Sequence, residues 1–272
     1  MHVRNREQAI EELHSIDDLI RWSVSQLNQS DVYYGHGTDN PIDETRALLS
    51  YALQLTTEQL AAMGHCRVLT SEKHEFIELL NQRIEHKMPA AYLTHQAYFA
   101  GLPFYVDERV LVPRSPIAEL IENGFQPWLT EQPKRVLDLC TGGGCIAIAC
   151  AYAFPDSEVD ALDVSTEALE VAEFNIEQHG LLHQVTPIQS DLFEAVQNEK
   201  YDLIVTNPPY VDAEDMADLP DEYHHEPELG LAAGEDGLIL VDKMLMEAAD
   251  KLNDNGLFVC EVGNSMPALA QK

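Results

Sequence analysis

Short apolar runs alternate with stretches of helical periodicity through the second half of the chain. The runs predict buried strands at residues 135–140, 158–163, 185–188, 203–206 and 257–262. A helix is predicted at residues 145–151, directly after the first strand and its turn, and helical segments separate the later strands. This alternation predicts an α/β domain with a doubly wound, mostly parallel sheet, in which ligands bind outside the carboxyl ends of the strands.

Before Pro89 the apolar residues recur instead at helical spacing, which predicts a small helical domain with its own core. Helix starts are predicted near Asp43 and Ser71. The residues that carry the spacing are Ile10, Leu13, Ile16, Leu19, Ile20, Val24, Leu27, Leu48, Leu49, Leu53, Phe76, Leu79, Leu80 and Ile84.

Alternating apolar residues from Ala97 to Val112, around a turn at residues 101–103, predict a β-hairpin between the two halves. The predicted division is therefore a helical domain at 1–90, a connecting hairpin at 91–115 and an α/β domain at 116–272.

The composition narrows the class of protein. A formal net charge of −31 over 272 residues repels nucleic acid and attracts a basic partner, although solubility or adaptation to salt also produces such a charge. No apolar run is long enough for a membrane span, and no signal-type segment leads the chain, so a cytoplasmic protein is expected. The five cysteines lack paired CxxC spacing, which favours small buried thiols over zinc ligands, and no metal site is predicted.

Asn207-Pro208-Pro209-Tyr210 ends the fourth predicted strand and is the strongest candidate for chemistry. Two prolines supply no N–H donors, so this backbone offers only carbonyl acceptors. The Asn207 side-chain oxygen and the Pro208 carbonyl are suited to accept the two hydrogens of a planar NH2 group, with the Tyr210 ring over one face. Holding both hydrogens draws the nitrogen lone pair out of conjugation, as alkylation requires. The ordinary alternative is a proline-rich turn closing a strand.

A nucleoside-containing cofactor site is predicted upstream, at the ends of the first three strands. The turn consists of Cys140, Thr141, Gly142, Gly143 and Gly144, and its glycines allow a ligand to approach the backbone closely. Asp163, followed by Val164, ends the second strand and suits ribose hydroxyls. Asp191, followed by Leu192, follows the third strand and suits an adenine amino group.

The glycine run alone leaves a nicotinamide cofactor open, because Gly142-x-Gly144-x-x-Ala147 and the spacing to Asp163 also fit the dinucleotide fingerprint. Asp138 argues against it, since an acid at the end of the first strand disfavours a pyrophosphate but attracts the ammonium group of a sulfonium methyl donor, and a nicotinamide oxidoreductase stays a third option. Together with Asn-Pro-Pro-Tyr, this favours S-adenosyl-L-methionine, with S-adenosyl-L-homocysteine as the product.

These motifs resemble the HemK/PrmB family of protein-glutamine N(5)-methyltransferases over nearly the whole chain. The resemblance also rests on residues 112–116, 226–229 and 234–238. It implies a Rossmann-like class I S-adenosylmethionine-dependent methyltransferase domain, preceded by a small helical domain and a connecting β-hairpin. It implies further that Asn207, Pro208 and Tyr210 hold the amide, and that Asn207 also borders the donor.

Residues 22–25 and 34–41 resemble the branch of the family that acts on a ribosomal protein. This implies methylation of a glutamine side-chain amide in the third protein of the large subunit, a basic partner, with the helical domain recognising the substrate. Direct sequence-specific nucleic-acid binding is not expected. The alternatives are a release-factor glutamine methyltransferase and an adenine or cytosine amino-methyltransferase acting on nucleic acid.

The sequence departs from the family pattern at three places. Cys140 stands where the family usually has glycine, and residues 115–118 lack the acids of the release-factor branch. Family members continue past the fifth strand with a helix and a hairpin, so the resemblance implies that two C-terminal strands are missing from 116–272.

Residues 223–237 are predicted to form a lid over the crevice at the carboxyl ends of the strands.

Overall fold

The computed structural model describes residues 5–234 and 237–270. It divides into two compact units, one formed by Met1–His95 with Pro220–His225 and the other by Gln96–Leu219 with Glu226–Lys272. The helical unit therefore takes in a short segment that lies downstream of Asn-Pro-Pro-Tyr in the sequence. Two residues of the family-like run at 234–238, Glu235 and Asp236, lie outside the described residues. The role of 1–90 in substrate recognition stays a prediction.

The first unit is helical, as its periodicity predicts. Its helices are α1 (Arg6–Glu12), α2 (Ile16–Leu27), α3 (Pro41–Leu53), α4 (Thr57–Ala62), α5 (Thr70–Glu85) and α6 (Ala90–Thr94), and a 3-10 turn spans Asp221–His225. Helix α3 starts two residues before the predicted Asp43, because Asn40 caps it by accepting from the backbone of Ile42 and Asp43. Helix α5 starts at Thr70, one residue before the predicted Ser71. Apolar residues of all six of these helices form one core.

A buried ion network holds the Asp221–His225 turn within this unit. Arg83, only 1% exposed, donates from Nε to Glu44 and from Nη1 to Glu222 Oε1 at 3.0 Å. Its Nη2 donates to the Tyr33 carbonyl at 2.6 Å, and the Tyr33 amide donates to Glu222 Oε1 at 2.8 Å. Two acids thus share one guanidinium in the interior of the helical unit.

The second unit contains the predicted hairpin and α/β sheet. Strands β1 (Ala97–Phe99) and β2 (Leu102–Phe104) pair antiparallel, which confirms the hairpin. The large sheet has the order β5-β4-β3-β6-β7, and every neighbouring pair in it is parallel. Its strands are β3 (Arg135–Leu139), β4 (Glu158–Asp163), β5 (Val185–Gln189), β6 (Tyr201–Thr206) and β7 (Leu252–Cys260). Strand β7 begins five residues earlier than predicted and ends two residues earlier, at Cys260. Its early start reflects a register shift with β6 between Tyr201 and Leu203, so that pairing begins at Leu252.

Helices and sheet in this unit enclose two apolar cores. The helices are α7 (Ile117–Glu122), α8 (Cys145–Ala153), α9 (Thr166–Gln178), α10 (Ala213–Ala217), α11 (Ile239–Lys251) and α12 (Met266–Leu269). Helix α8 is apolar all round and buried from Cys145 to Ala151, so Cys145 and Cys150 are core thiols, as predicted. Because the sheet is parallel, Leu139, Asp163 and Thr206 end their strands at the same edge.

Two properties of the described residues bear on the class of protein. None of the described helices is long and apolar enough to cross a membrane. Within 5–234 and 237–270, no group of three or more histidine, cysteine or acidic side chains is arranged to hold a metal ion.

Candidate active site

Asn207 follows directly on β6, and its side chain has an unmet hydrogen-bonding requirement. Its Oδ1 atom is buried and has no hydrogen-bond partner among residues 5–234 and 237–270. The strand end is fixed just before it, because Thr206 Oγ1 donates to the Leu139 carbonyl at 2.8 Å. A buried acceptor without a donor costs roughly 1–3 kcal/mol, so the site suits a ligand that brings an N–H group. Pro208 and Pro209, the next two residues, are buried.

The ring of Tyr210 is held by a segment that sequence reasoning did not single out. Tyr210 Oη donates to Glu261 Oε1 at 2.8 Å. Ser265 Oγ donates to the Tyr210 carbonyl at 3.4 Å, and Gly263 lies against the ring. Glu261 falls within the predicted strand at 257–262, but no role was assigned to it, and Gly263 belongs to no predicted motif. The only signal for either residue was its place at the carboxyl end of the last strand.

The glycine turn combines left-handed backbone with close packing. Cys140, Gly142 and Gly144 have φ values of +57°, +54° and +81°. A side chain at Gly142 would point into open space, whereas a Cβ at Gly144 would lie 3.2 Å from Ala172 Cβ on α9. Gly144 is therefore required by packing, while Gly142 leaves a backbone surface open to a ligand. At Cys140 a side chain occupies a conformation that favours glycine.

Asp138 is fully buried at the end of β3. Its Oδ2 accepts from Thr141 Oγ1 at 2.5 Å and from the Ala147 amide at 3.0 Å. Its Oδ1 is buried without a partner in the described part of the chain. Burial raises the pKa of Asp138 to about 7, against the lowering effect of those two hydrogen bonds. This is a second buried acceptor at the sheet edge that lacks a donor.

Asp163 faces the glycine turn from the end of β4. Its Oδ2 accepts from the Gly142 amide at 2.8 Å, and its Oδ1 accepts from the Ser165 amide at 2.9 Å. Burial raises its pKa, against these backbone hydrogen bonds. The carboxylate thus braces the turn, and each oxygen retains a further lone pair for a ligand.

A surface depression lies beside this position, where β4 and β5 end. Its lining residues are Val164, Gln189, Ser190, Asp191, Glu194 and Ala195. Asp191 is exposed there, and Leu192 next to it has a left-handed φ of +48°. The structure therefore brings the Asp163–Val164 and Asp191–Leu192 candidates to neighbouring strand ends.

Two further family-like segments are joined by an ion pair. Arg114 donates from Nη1 and Nη2 to the two oxygens of Glu226, at 2.6 and 2.7 Å. The Val112 amide donates to the same carboxylate at 3.0 Å. The bidentate pair fixes the loop after the hairpin to the chain that returns after the Asp221–His225 turn.

Comparisons with known proteins agree with this geometry. The Methyltransferase small domain matches residues 124–222, and the PrmC N-terminal domain matches residues 18–94. The ribosomal protein uL3 glutamine methyltransferase of Francisella tularensis subsp. tularensis is 44% identical over 270 residues, covering 98% of this chain and 86% of that protein. The Neisseria gonorrhoeae protein of the same name is 47% identical over 264 residues, covering 96% and 88%. The chain belongs to this family of protein-glutamine methyltransferases.

Among solved structures, this methyltransferase is similar to the hMettl16 catalytic domain in complex with MAT2A 3'UTR hairpin 6. The TM-score is 0.51 at 16% identity, covering 74% of this chain and 71% of that chain. At this identity the likeness concerns the fold alone. It agrees with the Rossmann-like α/β sheet described above and confirms the predicted fold class.

Proposed function

We propose that this methyltransferase transfers a methyl group from S-adenosyl-L-methionine to the side-chain amide nitrogen of a glutamine in ribosomal protein uL3. The observation that carries the chemistry is the buried Asn207 Oδ1 without a donor, placed at the end of β6. The names of two relatives that are 44% and 47% identical support the substrate.

The strand ends fit the methyl donor at four places. Asp138 Oδ1 is a buried acceptor without a partner and suits the donor's ammonium group. The open backbone at Gly142 leaves room against the turn. The Asp163 carboxylate suits the ribose hydroxyls, and Asp191 suits the adenine amino group at the edge of the depression. The remaining residues predicted to border the donor are Cys140, Thr141, Gly143 and Gly144 in the turn, Val164 after β4 and Leu192 after β5.

When bound, the donor supplies an electrophilic methyl group that needs no further activation. The chain's own contribution is to hold the amide for in-line attack. Asn207 Oδ1 and the Pro208 carbonyl each accept one amide hydrogen, and the Tyr210 ring covers one face of the amide. The N-methylated amide then loses a proton to a nearby acceptor oxygen or to water, because a protonated amide is a strong acid.

Charge supports a basic protein substrate. From Tyr201 to Asp242 the chain contains twelve Asp and Glu residues and no Lys or Arg, and this stretch directly surrounds and follows Asn207 in the sequence. Such a segment repels phosphates and attracts cationic segments. We propose that the helical unit and its Tyr34–Asn40 loop select the partner, and that the reaction takes place in the cytoplasm.

The test offers labelled donor with free uL3, a peptide release factor and duplex DNA, at about 0.1 M and about 1 M salt, where the Debye length falls from roughly 10 Å to 3 Å. Label should appear in a glutamine of uL3 and decrease at high salt. Preferential labelling of the release factor would refute the substrate assignment, and label in DNA would refute the substrate class.

The variant Asn207→Ala tests whether Asn207 positions the reacting amide. It should lower single-turnover methylation of uL3 about 100-fold, because the amide loses its positioning acceptor. Calorimetry should find donor affinity within about twofold of the wild-type value, less than the effect of one typical hydrogen bond. Near-normal turnover in this variant would contradict the role of Asn207.

A further inference from the structure

The segment that follows β7 contacts Tyr210 at three different points. Glu261 Oε1 accepts the hydroxyl hydrogen at 2.8 Å, and Ser265 Oγ donates to the backbone carbonyl at 3.4 Å. Gly263, with φ of +46°, lies so close to the ring that an added Cβ would be 2.5 Å from Tyr210 Cε2. Residues 261–265 therefore restrict the hydroxyl, the ring face and the main chain of Tyr210 together.

Glu261 is itself fixed at both its main chain and its carboxylate. Its amide donates to the Thr206 carbonyl at 3.0 Å, which extends the β6–β7 pairing by one residue beyond Cys260. Its Oε2 accepts from Ser115 Oγ at 2.5 Å. A carboxylate held at backbone and side chain has little freedom to follow a moving partner. The Tyr210 hydroxyl is thus tied to the strand that leads into Asn207.

This arrangement limits what Tyr210 contributes. Its hydroxyl hydrogen is directed at Glu261, so the side chain presents its ring rather than a proton. A swing of the ring about the Cα–Cβ bond moves the hydroxyl away from Glu261 and breaks their hydrogen bond, while Gly263 lies against one side of the ring. Gly263 leaves space for the ring where any side chain would collide with it.

We propose that Glu261 is a positioning residue that sets the orientation of the Tyr210 ring over the reacting amide. The proposal rests on the function proposed above, in which Tyr210 covers one face of the glutamine amide. Glu261 acts through Tyr210 and not on substrate or donor. A loss of orientation should therefore lower the rate of methyl transfer and leave donor binding intact.

The test compares Glu261→Ala, Glu261→Gln, Tyr210→Phe and the double variant Tyr210→Phe/Glu261→Ala. Glu261→Ala should lower kcat for uL3 about 10-fold or more, with KM values for uL3 and donor within about twofold. Glu261→Gln keeps an oxygen acceptor and should recover most of that loss. The double variant should be no slower than Tyr210→Phe by more than about twofold, since both single changes break the Tyr210–Glu261 hydrogen bond and the Ser115 bond that Glu261→Ala also removes does not reach Tyr210.

Glu173→Gln is the control for lost charge, because Glu173 is an exposed acid on α9, away from the segment after β7. It should leave kcat unchanged. Additive effects in the double variant, or an equal fall in donor affinity, would overturn the positioning role. Melting curves show whether each variant folds. If Glu261→Ala does not fold, Glu261→Gln is compared with the wild-type protein and with Tyr210→Phe instead.

A crystal structure of Glu261→Gln or Glu261→Ala without substrate gives a readout independent of activity. The Tyr210 ring should be displaced or disordered in Glu261→Ala and retained in Glu261→Gln. An unmoved ring in Glu261→Ala would overturn the proposal whatever the kinetics. If the wild-type protein did not methylate uL3, the proposed function would be refuted. A displaced Tyr210 ring in Glu261→Ala would still show that Glu261 positions Tyr210.

Discussion

Replacing Asp138 by Asn should stabilise the fold at neutral and alkaline pH while weakening the donor site. The wild-type carboxyl is fully buried, with one oxygen unpaired and its pKa raised to about 7 by burial. Asparagine has nearly the same shape and keeps an oxygen acceptor for Thr141 Oγ1 and the Ala147 amide. It carries no charge, so the cost of burying a carboxylate disappears.

The magnitude follows from the pKa of Asp138 in the two states. Because this pKa lies above its ordinary value of 3.8, the folded state binds an extra proton between these two pH values. The wild-type free energy of unfolding therefore falls as pH rises through this window and levels off above pH 7. At 1.36 kcal/mol per pKa unit, the wild-type contribution lost between pH 5.5 and pH 8 is about 2 kcal/mol.

Urea unfolding followed by circular dichroism at pH 5.5, 6.5 and 8 measures this effect. The many other acids of the chain titrate in both proteins, so the difference between variant and wild type isolates Asp138. The advantage of Asp138→Asn should grow with pH by about 2 kcal/mol. If the difference in unfolding free energy between variant and wild type stayed constant across this pH range, the raised pKa of Asp138 would be refuted. If Asp138→Asn left donor affinity unchanged, the role of Asp138 in the donor site would be refuted.

Two other perturbations separate binding from stability. Asp163→Asn should weaken donor binding by roughly 1.5–3 kcal/mol, the contribution of hydrogen bonds to a charged group. Its amide oxygen can still accept from the Gly142 amide, so calorimetry should find lower affinity in a folded protein. Arg83→Met should destabilise the helical unit by roughly 3–5 kcal/mol, because it leaves two buried carboxylates without their cation. Urea unfolding with an unchanged midpoint would contradict this.

The sheet and its binding edge follow from local sequence and general topology. Apolar runs locate β3, β4 and β6, and connections through helices between consecutive strands make them parallel. Since parallel strands end at one edge, Asp163 and Asn207 come together without further information. The glycine turn was predicted for ligand approach, whereas the packing requirement at Gly144 came from the structure, because it depends on Ala172 of α9.

Contacts between distant segments could not be predicted in the same way. The Arg114–Glu226 pair joins residues separated by 112 positions, and the bond from Ser115 to Glu261 spans 146. Periodicity records which face of an element is buried, but not which charged side chain from elsewhere will meet it. For the same reason, the sequence could not predict that Asp221–His225 belongs to the helical unit. That placement depends on the hydrogen bond from the buried Arg83 to Glu222, 139 residues away.

The edge of the sheet where the function is proposed contains four local costs to stability. Cys140 and Leu192 adopt left-handed backbone conformations, each costing on the order of 1–3 kcal/mol for a residue other than glycine. Asp138 and Asn207 each bury an oxygen acceptor without a donor. All four lie at or just beyond the ends of β3, β5 and β6. A sequence optimised for stability alone would have glycine at the strained positions and apolar side chains at the unpaired ones. At the proposed donor and amide sites, a ligand's N–H groups would complete the two hydrogen bonds that Asp138 and Asn207 leave open.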